Sequence, residues 1–220
     1  MKSFLLSIRR YAKRILAVEY ISIAILMNAT ILPITAESGY IKIIFGGDMK
    51  RNITPTSVEK VMRENDFIVS MTDTTGRITY GNRIFIEFSG YSEQELIGSQ
   101  HNIIRHPDMP RAVFKLLWDK ISSREECFAY VKNMAKDGSF YWVFTNVTPT
   151  FDPSGNITGY FSVRRKPKAS GVKTASEVYR LMLDAEKRAG AANAIAASTK
   201  ILVDVLNDKG LSYDELVLAI

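Results

Sequence analysis

The stretch CFAYVKNMAKDGSFYWVFTNVTPTFDPSGNITGYFSV, residues 127–163, decides the fold. Phe128 to Met134, Phe140 to Thr150 and Ile157 to Val163 are rich in aromatic and β-branched residues, the composition of strands. Lys136-Asp137-Gly138 separates the first two, and Asp152-Pro153-Ser154-Gly155-Asn156 separates the last two. Connections this short, with these turn residues, join antiparallel neighbours. Successive residues of a strand point to opposite sides, so only one of the adjacent Tyr141 and Trp142 can face a given side of the sheet.

Working upstream, Phe67 to Thr72 and Arg77 to Tyr80 flank Asp73-Thr74-Thr75-Gly76 and predict a further hairpin. Asn82 to Phe88 carries Ile84, Phe85 and Phe88 at helical spacing and stops at Gly90. Ser92 and Glu95 form a Ser-x-x-Glu capping box for a second short helix that ends at Gly98. Val113, Phe114, Leu117, Trp118 and Ile121 recur with the period of a core-facing helix, for which Asp108 is the expected N-cap and Pro110 lies in the first turn. Two strands, short helices, one longer helix and three strands predict an α+β domain. Its antiparallel sheet has about five strands, its helices collect on one face, and a hollow between the layers suits a small molecule.

Composition narrows the function. The 220 residues are 46% hydrophobic and 24% charged, an ordinary globular balance. One cysteine, Cys127, forms no internal disulfide, and two histidines with one cysteine are too few for a usual structural zinc site. The net charge is +6, but residues 1–14 and 160–173 each hold five basic side chains and no acid, which leaves the remainder net acidic. No basic stripe with interleaved aromatics is present, so nucleic acid is not an expected partner. No Gly-rich phosphate loop, nucleophile elbow or nicotinamide fingerprint is found, so the chain is not expected to be an enzyme.

The run HNIIRHPDMP, residues 101–110, resembles the HNxxRHPDMP signature of PAS domains of the aerotaxis receptor (Aer) type. SGYSEQELIG at 89–98 is similar to the same family, as are Val131-Lys132-Asn133, Lys136-Asp137-Gly138 and Tyr141-Trp142-Val143. The resemblance covers about residues 65–166. It implies a PAS sensor that binds FAD non-covalently and reports redox or oxygen state to a chemoreceptor-type signalling protein by contact. It also implies that Arg105, His106 and Asp108 serve FAD binding, with Asn82 and Asn133 as amide partners of the ring. The Arg105 guanidinium suits phosphate oxygens, and His106 adds a second donor. Trp118 is a candidate wall for the ring, with plain core as the alternative, and Tyr141 is a further candidate. The alternative for Asn82 is a turn or helix cap. Family members carry a PW pair where this chain has Cys127-Phe128, so Phe128 would take the place of the tryptophan on the flavin face. Cys127 lies away from the position of the adduct-forming cysteine of LOV domains, and light-driven adduct chemistry is not expected. Haem held by one histidine, or a ligand-free interaction module, are the alternatives to a flavin sensor.

The flanks complete the expected organisation. Residues 1–48 are basic and then apolar. ILAVEYISIAILMNATILPITA, residues 15–36, has the length of a membrane span but is interrupted by Glu19, Asn28 and Pro33. A membrane anchor, a signal peptide and a mis-assigned start before Met49 compete there. Residues 49–64 form a cap, 65–167 the PAS sensor, 168–173 a linker and 174–220 a helical segment. In that segment Thr174 and Glu177 make a capping box, Ile195, Leu202 and Leu206 are packing residues, and Ser212 with Glu215 caps a last helix. Homodimerisation through the PAS domain or these helices, and a cytoplasmic location at the inner face of the membrane, are expected.

Overall fold

The computed structural model describes residues 53–220. The expected N-terminal segment 1–48 lies outside the described residues. From residue 53 the chain runs alongside the start of the second long strand: the Thr56 N–H donates to the Gly138 carbonyl at 2.8 Å and the Phe140 N–H to the Val58 carbonyl at 2.9 Å.

Five strands make one antiparallel sheet: β1 (Ile68–Thr72), β2 (Ile78–Gly81), β3 (Cys127–Met134), β4 (Phe140–Phe151) and β5 (Ile157–Arg165). Their order is β2-β1-β5-β4-β3, so the last strand of the chain lies between the first hairpin and the second. Three of the turns are built by an aspartate whose carboxylate accepts backbone N–H groups ahead of it. Asp73 takes those of Thr75 and Arg77, Asp137 that of Ser139, and Asp152 those of Ser154 and Asn156.

Between β2 and β3 lie α1 (Arg83–Ser89), α2 (Glu93–Leu96), a 3-10 turn (His101–Ile104) and α3 (Arg111–Ser122), which cover one face of the sheet. Asn82 caps α1, Gly90 ends it in the left-handed region, and the Ser92–Glu95 capping box forms as the sequence predicts. One cap differs. Pro110, which offers no side-chain acceptor, is the N-cap of α3. The Asp108 carboxylate is drawn instead to the Lys132 ammonium at 2.7 Å. An acceptor for the helix comes from far along the chain: Glu186 Oε1 takes the Arg111 N–H at 2.7 Å.

The expected linker over 168–173 is helical, because α4 (Ala169–Lys209) begins ahead of Thr174. Gly190, at φ 72° and ψ 171°, breaks α4. Ser198 donates to Glu186 at 2.8 Å across that break. Twelve helical residues would separate the two by about 18 Å, so the chain doubles back at Gly190. Leu202 packs in the core as expected, whereas Ile195 is exposed. The Ser212–Glu215 capping box opens α5 (Tyr213–Ala219).

These C-terminal helices cover the β3–β4 side of the outer sheet face. Trp142 stacks on Tyr179 at 6.4 Å. The hydroxyls of Tyr179 and Tyr213 donate to the carbonyls of Tyr130 and Phe128 at 2.8 and 2.9 Å. Since β3 is an edge strand, these bonds satisfy backbone acceptors that would otherwise be open to another chain.

Candidate functional site: the inner face of the sheet

Strand alternation sets what faces the helices. Ile68 and Ser70 of β1, Asn133 of β3, Tyr141, Val143 and Thr145 of β4, and Tyr160, Ser162 and Arg164 of β5 are buried at alternate positions. Phe85 of α1 and His101 of the 3-10 turn oppose them, their rings stacked at 5.9 Å and 11°.

Arg164 bridges the two layers. It is 4% exposed. Its Nη2 donates to Ser70 Oγ and to His101 Nε2, both at 2.7 Å, and its guanidinium lies 5.3 Å from the centre of the Phe85 ring. A guanidinium offers only donors, so His101 Nε2 is an acceptor and the imidazole is neutral. Burial, helped by the Arg164 charge, holds His101 at about 3. Burial also brings Arg164 down to about 10, which leaves it charged at neutral pH.

Three buried groups of this face have no partner for one polar atom: Arg164 Nη1, Tyr141 OH and Asn133 Nδ2. Tyr141 and Asn133 are directly paired across β4 and β3. Burial pushes the Tyr141 phenol well up, so it keeps its proton. All three atoms are therefore donors without acceptors. Buried polar atoms are nearly always bonded, and such a set marks a place for an acceptor-rich ligand.

Six of the eight sequence-predicted residues fall in three places. Asn133 and Tyr141 lie on the inner face, and Trp142 points to the other side. Trp118, 38% exposed, packs against Gly76 and sits edge-on to Tyr160 at 5.4 Å. Arg105, His106 and Asp108 lie together at the β3 edge. Arg105 Nη2 donates to the Met109 carbonyl at 3.1 Å, and its guanidinium stacks 4.2 Å over Phe114. His106 Nδ1 accepts the Asp108 N–H at 3.1 Å, while its Nε2 is buried without a partner.

Asn82 takes its alternative role, and the expectation for Phe128 is corrected. Asn82 is the helix cap: Oδ1 accepts the Phe85 and Val69 N–H groups and Nδ2 donates to the Phe67 carbonyl at 2.7 Å, which occupies the amide. Phe128 is on the outer face, stacked on Phe144 at 5.9 Å, because Cys127 and Ala129 take the inward phase of β3. The buried Cys127 thiol is pushed up to about 12 by burial and stays protonated.

Arg164 and Ser70 carry no motif in the sequence, whereas His101 opens the run at 101–110. Arg164 reads as one member of a basic cluster. Its phase with Tyr160 and Ser162 along β5 sets it on the buried side.

Neutral buried histidines make stability pH-dependent. Burial and the Lys132 ammonium lower His106 as well. The folded chain therefore binds fewer protons than the unfolded chain below pH 6.5, and stability falls as the pH drops towards the folded values. Full titration of one such group would cost up to about 1.4 kcal/mol per pH unit, less for His101 because the residue is not fully shielded from solvent. The urea midpoint should drop between pH 7 and 5, where carboxylates such as Asp137, held at about 2, are still ionised. His101→Gln should flatten the profile, and a flat wild-type profile would contradict this account.

Comparison with known proteins agrees with the fold. Residues 78–164 match the family model described as PAS fold. The aerotaxis receptor of Escherichia coli (strain K12) is 36% identical over 121 residues, 55% of this chain and 24% of the receptor. A nitrogen fixation regulatory protein of Klebsiella pneumoniae is 29% identical over 97 residues, 44% of this chain and 20% of that protein. The chain thus spans about a quarter or less of the length of these relatives. The dark structure of the blue-light photoreceptor Aureochrome1 LOV superposes with a TM-score of 0.46 at 25% identity, covering 52% of this chain and 85% of that one.

Proposed function

We propose that this PAS unit is a sensor that holds FAD non-covalently between helices and sheet and reports redox or oxygen state by contact with a chemoreceptor-type partner. The observation that carries it is the set of three orphaned donors on the inner face, Arg164 Nη1, Tyr141 OH and Asn133 Nδ2. They fit a flat ring whose edge carries carbonyl and ring-nitrogen acceptors. The likeness to the aerotaxis receptor and the run at 101–110 support the same assignment.

When bound, the flavin would supply reversible electron uptake. The chain's part is to hold and orient it. Asn133 and Tyr141 donate to the acceptor edge, His101 stays neutral, and Phe85 with Trp118 limits access of water. Arg105, half-buried beside Arg111, is the residue for the diphosphate. A change in the bonds made by Asn133 passes along β3 to the C-terminal helices fastened to its edge. A ligand shifts that equilibrium only by interacting differently with the two states. The sensor is assigned to the cytoplasm, near the inner face of the membrane, with no reaction of its own.

Absorbance of the purified native protein tests this. It should be yellow and release flavin on denaturation, and Arg105→Ala should lose most of it. Full flavin retention by that variant would remove the diphosphate role. A Soret band would decide for haem, and a colourless protein that still binds its partner for an interaction module.

A further inference from the structure

The layer between the helices and the sheet carries an unbalanced charge. The groups facing the Arg164 guanidinium are Ser70 from β1, Tyr141 from β4, His101 from the 3-10 turn and Phe85 from α1. Tyr91 in turn lies beside Tyr141. None of these is an acid, and neither phenol is an anion near neutral pH. No carboxylate is among the charges acting on Arg164, and Asp66, Asp108 and Glu186 are engaged with Arg63, with Lys132, and with the Arg111 N–H and Ser198. No ion pair among the described residues includes Arg164. A cation this deep, with no counter-ion and one nitrogen unbonded, is costly to keep unless a ligand supplies the missing charge.

We propose that Arg164 is the counter-charge for the ligand ring and sets the potential at which the sensor switches, by stabilising the singly negative reduced form over the neutral oxidised one. This rests on the flavin assignment above. The neutral ring that accepts two electrons and one proton gains one net negative charge. With dithionite as the donor, each dithionite and two waters give two bisulfites, two electrons and two protons. The ring takes both electrons and one proton, and the second proton goes to solvent. Arg164 takes part in no bond making. Its positive charge is already in place, held by Ser70 and His101, and Nη1 needs no large rearrangement to meet the new charge. Because His101 is neutral, Arg164 is the inner-face cation among the described residues that would act on the ring.

Two other roles for the same guanidinium predict different results. If Arg164 held the diphosphate, its loss would weaken oxidised and reduced ligand equally and leave the potential unchanged. If it were only a strut between layers, stability would change and the potential would not.

The experiment is a reductive titration of the full-length protein with dithionite against a reference dye, comparing wild type with Arg164→Gln and Arg164→Lys. Arg164→Gln should lose at least tenfold of the preference for the reduced ring, which is a midpoint lower by about 30 mV or more for a two-electron couple. Arg164→Lys, which keeps the charge, should recover most of that shift. An unchanged midpoint in flavin-loaded Arg164→Gln overturns the proposal. Should neither variant fold, the wild type decides it on the acid side of neutrality. One proton per two electrons gives a midpoint slope of about 30 mV per pH unit, and two protons give about 59 mV. The first is expected and the second overturns the proposal. A wild type without flavin would overturn the flavin assignment and this proposal together, whereas bound flavin with an unmoved potential overturns this one alone.

Discussion

Gly159→Ala should destabilise the domain by about 3 kcal/mol or more, at the upper end of what overpacking costs. Gly159 sits in β5 opposite Thr150 of β4, where β5 passes the end of β1. A Cβ there would overlap the Thr72 carbonyl oxygen and come within 3.3 Å of its carbon and 3.5 Å of the Asp73 Cα. All three are backbone atoms, so no side-chain rotation relieves the overlap. β1 would have to separate from β5 where Thr72 pairs with Tyr160. Two residues further along that ladder Ser70 pairs with Ser162, so the strain would reach the Ser70–Arg164 contact. Urea unfolding followed by circular dichroism measures the effect as a lower midpoint at unchanged slope. A variant within 1 kcal/mol of wild type would show that the hairpin shifts at little cost.

Glu186→Ala should cost about 2–3 kcal/mol, the loss of a largely buried, charge-assisted acceptor. The carboxylate is 9% exposed and takes both the Arg111 N–H and the Ser198 hydroxyl. Ser198 keeps a second bond to the Ala194 carbonyl at 3.0 Å, but the first N–H of α3 would be left without a side-chain acceptor. The negative charge also favours the N-terminal end of the α3 dipole. Glu186→Gln, which keeps an acceptor oxygen, should cost about half as much. Thermal melts should show a fall of roughly 5–10 °C for Glu186→Ala in a domain of this size. Faster amide exchange at Arg111 would locate the damage. Equal stability of Glu186→Ala and wild type would mean that the C-terminal helices do not brace α3 through this contact.

The outline of the domain was legible because its signals are local. Ser92, Ser212 and the turn residues at Asp73, Asp137 and Asp152 act on backbone groups within five positions of themselves, as Asn82 does in its cap bond to the Phe85 N–H, and each of these local bonds formed as a neighbour-range reading of the chain predicts. Strand phase likewise allowed only one of Tyr141 and Trp142 to face inwards. What failed depended on residues far apart in the chain. Asp108 has the chemistry of an N-cap, but Lys132 holds its carboxylate and Glu186 serves the helix. Phe128 suits a flavin face by composition, yet the inward phase of β3 belongs to its neighbours.

By itself, the order of the residues determined the five strands, the short helices and the class of fold, since periodicity and capping are properties of a few consecutive side chains. Only the tertiary structure decided that Arg164 leaves a basic surface run to bridge the sheet and the helix layer without an anion. That outcome requires β5 to lie between β1 and β4, and the 3-10 turn to bring His101 over it. Both are contacts across dozens of residues that no local pattern encodes.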